Sequence, residues 1–144
     1  MRTWLRLSKL AAAVAAALTL AATGASAAAA QEARGAAACG VGSVFLDGLR
    51  AVDVLEEGDR DEVYIRRENG SKLWPTTAAY VSMAEGQRVE VDKCVPVGET
   101  LRLWDDDGPV NPDDFMGIAT ICCEINYDEY FDNGSSRYRL GVIA

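Results

Sequence analysis

The 144-residue sequence contains no histidine. Serine and cysteine nucleophiles usually take their proton acceptor from histidine, so that route to catalysis lacks its base. Basic residues are also scarce, 14 Lys and Arg against 22 Asp and Glu, for a net charge of −8. On that balance nucleic acid and anionic membranes are poor partners and cations are good ones. Helical periodicity is missing, because no segment repeats apolar residues at three- and four-residue spacing. The longest apolar run, Leu10 to Ala22, is too short to span a bilayer.

That run follows Arg2, Arg6 and Lys9 and ends near Ala25-Ser26-Ala27, the pattern of a secretory signal peptide. The sequence therefore predicts a signal over residues 1–27, with Ala30 as the alternative boundary, and a flexible Ala-rich leader over 28–38. Lipid anchoring at Cys39 is disfavoured, since the small residues before it lie well past the apolar core. One domain is expected over 39–144, secreted and extracellular. Eleven cations then face 22 acids, so the charge imbalance grows once the signal is removed.

Cys39, Cys94, Cys122 and Cys123 all lie beyond the signal, and an oxidising compartment favours two disulfides. A four-cysteine zinc site normally has two closely spaced ligand pairs, and here only Cys122-Cys123 is close.

Strand-type residues recur between turn signals every ten or so positions. Candidates are 43–50, 62–67, 71–74, 87–92, 100–104, 116–125 and 136–143, giving an all-β antiparallel sandwich of seven or eight strands. Asn69-Gly70 is the strongest local signal, because both residues accept the positive φ of a tight hairpin. Asn69-Gly70-Ser71 and Asn133-Gly134-Ser135 also fit the N-glycosylation pattern, although turn chemistry explains both.

If consecutive strands run alternately up and down, the loops 52–61, 75–86 and 105–115 share one end, and the first and last are acidic. The loop 105–114 alone places five aspartates in ten positions. Cys39, Cys94 and Cys122-Cys123 fall at the other end. Cys122 and Cys123 point to opposite faces of a strand, so Cys39 and Cys94 are each expected to bridge one of them, in either arrangement. The cluster Asp128, Glu129, Asp132 is assigned to that same far end as a solvated hairpin.

Hard divalent cations take six to eight oxygen ligands, the chemistry that aspartates from two loops supply. Extended backbone sends Asp105 and Asp107 to one side and Asp106 to the other. Gly108-Pro109 and Asn111-Pro112 then turn the chain so that Asp113 or Asp114 folds back. The first loop contributes Asp61, followed by Glu56 and Asp59. Neither loop has the glycine and glutamate spacing of an EF-hand. Tyr80, Val81 and Met83 in the middle loop are candidates for insertion into a lipid or partner surface. Trp74, Trp104, Tyr64 and Phe115 are read as packing residues.

LEEGDRDEVYI (55–65) and LWDDDGPVNPDDFMG (103–117) resemble the two calcium loops of a C2 domain, where an Asp precedes a strand and a Trp-Asp-x-Asp loop ends in Asp-Asp-Phe-x-Gly. DEVYI, Trp74-Pro75, LWDDD and DDFMG together also resemble small secreted bacterial C2-like domains. The resemblance implies a C2-like fold. It puts Asp61, Asp105, Asp107 and one of Asp113 and Asp114 at calcium positions, with Glu56 or Asp53 substituting in the first loop. This sequence departs from the pattern in having Glu62-Val63 where proline usually follows the aspartate.

The functional expectation is a monomeric, non-enzymatic, secreted module binding Ca2+ and an unknown protein, glycan or lipid partner, with no nucleic acid. Paired carboxylates also serve glycosidases, but a hundred-residue sandwich has little surface for their cleft. The competing expectation is a metal-independent interaction or inhibitor domain whose acidic loops are simply solvated.

Overall fold

The computed structural model describes residues 39–55 and 60–144. They form strands β1 (Ser43–Asp53), β2 (Asp61–Arg67), β3 (Lys72–Trp74), β4 (Val81–Met83), β5 (Arg88–Pro96), β6 (Thr100–Asp105), β7 (Asp114–Thr120), β8 (Tyr127–Asp132) and β9 (Arg137–Ile143). The signal and leader expected over 1–38 lie outside the described residues. Among the described residues no helix is long and apolar enough to cross a membrane.

Alternation of buried and exposed side chains builds the sheets. In β6, Leu101, Leu103 and Asp105 are buried while Thr100, Arg102 and Trp104 are partly exposed. β1 changes phase midway: Val44 and Leu46 are buried at even positions, then Leu49 and Ala51 at odd ones. The register with β5 shifts between Leu46 and Gly48, and Asp92 on the β5 side takes φ of 51°. Against β9 the extra residue lies on β1 itself, between Leu46 and Leu49, and this second bulge keeps both halves of β1 facing the core.

The first sheet has the order β5-β1-β9-β8 and the second β3-β2-β6-β7, all pairs antiparallel. β4 pairs with Asp61–Val63 on the edge of β2 where β3 pairs with Ile65 and Arg66, so together they form one interrupted edge strand. Leu46, Leu49, Phe131 and Leu140 from the first sheet share a core with Ile65, Leu101, Leu103 and Met116 from the second.

Both open sides of the sandwich are stitched. Trp74 Nε1 donates to Glu90 O at 3.0 Å, joining β3 to β5, and Asn133 Nδ2 donates to Phe115 O at 2.8 Å, joining the β8–β9 turn to β7. A Cβ on Gly117 would lie 2.5 Å from Asp132 N, and the residue has φ of 139°, so glycine permits this approach. The Asn69-Gly70 hairpin forms as expected, with Gly70 N donating to Arg67 O at 2.9 Å.

Two strands escaped the sequence reading. β4 is three residues long, too short for periodicity to register. The sequence predicts one strand over 116–125, but β7 ends at Thr120 and the chain crosses to the first sheet as β8. An apolar run continuous through Ile121 and the cysteines conceals the crossover. β8 returns the chain to the acidic end, so Asp132 lies there rather than at the far end. Asp128 and Asp132 pair with Arg139 at 3.2 Å and Arg137 at 3.6 Å on β9. Met83, proposed for lipid insertion, is fully buried, and its neighbour Val81 packs partly against the core.

The cysteine pairing also differs from expectation. Cys39 bonds to Cys94, with Cα atoms 5.5 Å apart, and neither reaches the Cys122-Cys123 pair. Register explains this, since Cys94 lies opposite Phe45 near the start of β1, the strand that Cys39 leads into. The sulfurs of Cys122 and Cys123 lie against each other.

Candidate functional site

β2 begins at Asp61, β6 ends at Asp105 and β7 begins at Asp114, all at one end of the second sheet. Register fixes their neighbourhood: Val63 opposes Asp105, and Asp105 opposes Asp114. The two acidic stretches meet at one pole, as strand parity requires.

Asp61 is 1% exposed. Its carboxylate accepts from Leu55 N at 3.1 and 3.2 Å and from the Tyr138 hydroxyl at 2.5 Å. It therefore braces the start of the first acidic loop against both sheets. Burial and the Asp61 carboxylate beside it push the Tyr138 hydroxyl far above the usual phenol range.

Asp105 is 5% exposed, and its Oδ1 accepts from Glu62 N at 2.5 Å. Burial is the largest influence on its carboxyl and raises it to about 7, opposed by the Glu62 amide and reinforced by the charges of Asp61, Asp107 and Glu62. Metal-free, this pole disfavours its full complement of negative charge.

Asp106 stands apart from the cluster and shapes the loop. Its amide donates to Glu62 O at 2.9 Å, extending the ladder one residue past β6, and its Oδ1 accepts from Gly108 N at 3.0 Å. Asp107 Oδ2 is buried without a hydrogen-bond partner. A buried carboxylate oxygen normally has a donor or a cation beside it.

The remaining candidates separate. Asp113 accepts from the Tyr64 hydroxyl, which draws it toward the outer face of the second sheet. Asp114 is exposed. Glu56 and Asp59 lie outside the described residues. Among the described residues no group of three metal-ligating side chains is already assembled. Asp61, Asp105 and Asp107 are thus neighbours in charge, while Asp113 points elsewhere.

The reading of the sequence missed Tyr138 and Tyr64, whose hydroxyls hold Asp61 and Asp113. The inward phase of Tyr138 between Ser136 and Leu140 was the available signal, since a buried tyrosine needs a partner for its hydroxyl. No protein-family model matches the chain, and no curated protein matches it.

Proposed function

We propose that the acidic pole is a calcium site and that the protein is a secreted, C2-like β-sandwich module whose loops calcium orders for binding at the cell exterior. The orphaned, buried Oδ2 of Asp107 carries the reading. It sits in a cluster where burial, reinforced by the neighbouring carboxylates, already raises Asp105. A divalent cation supplies what both lack, a positive partner for crowded oxygens.

In this reading Asp61, Asp105 and Asp107 contribute oxygens, Glu56 and Asp59 complete the set from the first loop, and Asp113 or Asp114 closes it. Asp113 does so only by leaving Tyr64. The same reading takes Cys122-Cys123 as a second disulfide and assigns no catalytic residue. Thermal unfolding with calcium and then with chelator tests it. A cation present at a hundredfold excess over Kd stabilises by about 2.7 kcal/mol, and the resulting shift is lost in Asp107→Asn. Equal unfolding temperatures in calcium and chelator favour the metal-independent interaction domain.

A further inference from the structure

Beside the acidic pole, the outer face of the second sheet carries two cross-strand rows. Val63, Ile65, Leu101 and Leu103 point into the core, so Tyr64, Arg66, Arg102 and Trp104 point out. Register places Tyr64, Trp104 and Phe115 side by side in one row, and Lys72, Arg66, Arg102 and Ile118 in the next. Neighbouring positions in a row are about one strand spacing apart, ~4.8 Å.

Three cations directly opposite one another repel. Arg67, Arg88, Arg137 and Arg139 each have a carboxylate partner. Among the described residues Arg66, Arg102 and Lys72 have none, in a chain where acids outnumber bases. Lys72 Nζ donates to Ala78 O at 2.6 Å and to Ala79 O. The Arg66 guanidinium lies 5.1 Å from the Tyr64 ring centroid, and Arg102 Nε is buried without a partner. Asp113 on this face is already engaged by Tyr64.

The β7 end of both rows is accessible, whereas Tyr64 is buried at 4% exposure. Phe115 is 39% and Ile118 48% exposed, and Phe115 meets Trp104 edge-to-face with ring centroids 5.2 Å apart. A ligand matching both rows is elongated, with repeated anionic groups along one side and flat apolar faces along the other.

We propose that this face binds a linear carboxylated polysaccharide, its carboxylates on Arg66 and Arg102 and its sugar faces on Trp104 and Phe115. Arginine forks hold carboxylates in bidentate fashion, and aromatic rings receive the C–H faces of pyranoses. A neutral glycan leaves both arginines unmatched. An acidic peptide would meet the arginines in the same way, but it has no repeated flat apolar face to set against Trp104 and Phe115. The inference is independent of the calcium reading.

The test is electrophoresis of the full chain, in chelator, through gels containing polygalacturonate or dextran, alongside flotation with vesicles of phosphatidylcholine and phosphatidylserine. Chelator keeps calcium from gelling the uronate and from occupying the acidic pole. Retardation by polygalacturonate and not by dextran is expected. Arg66→Gln and Arg102→Gln each weaken it ~tenfold, Phe115→Ser weakens it, and Arg139→Gln on the other sheet leaves it unchanged. Unfolding curves confirm that each variant is folded. Absence of retardation, equal retardation of the Arg66→Gln/Arg102→Gln double variant, or binding confined to vesicles would overturn the proposal.

Discussion

The hydroxyl of Tyr138 on β9 donates to the carboxylate of Asp61 on β2 at 2.5 Å, linking the two sheets across 77 residues of sequence. Asp61 also accepts from Leu55 N, so this one side chain ties both sheets to the start of the first acidic loop. A carboxyl group that is almost fully buried needs such partners to remain in the core.

Tyr138→Phe removes one of them without changing the ring packing. Urea unfolding should show a loss of about 2 kcal/mol, the cost of leaving a buried acceptor short of a donor. Unchanged stability would mean that Asp61 does not depend on this bond.

Asp105 makes the metal-free protein sensitive to pH. Its carboxyl sits at about 7 in the fold, against about 4 in an unfolded chain. A raised acid favours the protonated fold, so this contribution is full below pH ~4 and is lost as pH rises toward ~7. In chelator, Asp105→Asn should flatten the decline between those limits and be the more stable protein at pH 8, by on the order of 1–2 kcal/mol. Parallel pH profiles for the two proteins would contradict this.

The Cys39–Cys94 bond closes a loop with a sequence separation of 55. Replacing both residues with serine should cost about 4 kcal/mol on chain-entropy grounds, measured by denaturant unfolding. Peptide mapping of the unreduced protein should recover Cys39 joined to Cys94; a peptide joining either to Cys122 or Cys123 would contradict the pairing.

Gly117→Ala should be among the most damaging single changes outside the core. The added methyl meets Asp132 N at 2.5 Å in a backbone conformation that L-residues avoid. A loss above about 2 kcal/mol is expected, whereas Gly134→Ala, which meets nothing within 4 Å, should cost only its backbone strain.

Period-two alternation of Val63 and Ile65 with Tyr64 and Arg66, and of Val89 and Val91 with Glu90, made β2 and the first half of β5 legible, and Asn69-Gly70 marked the β2–β3 hairpin. Counting strand directions then brought Asp61 and Asp105 to one pole correctly, because β4 continues the direction of β3 and its omission left the parity unchanged. The same count misplaced Asp132, because β8 reverses the chain and was hidden by the apolar run into Cys122-Cys123. Side-chain destinations were harder to read. Tyr64 draws Asp113 to the outer face and Tyr138 claims Asp61, and both are pairings between residues far apart in sequence. The cysteine pairing failed for a related reason, since sequence offers the faces of a strand but not which edge of which sheet it occupies.

The central claim is that Asp107 and its neighbours share a cation. Titrating chelator-stripped protein with calcium chloride in an isothermal calorimeter tests it most directly. Saturable binding to the native chain is expected, with its loss in Asp107→Asn while the variant stays folded. Absence of saturable heat from the native chain, or the same isotherm from the variant, would contradict it.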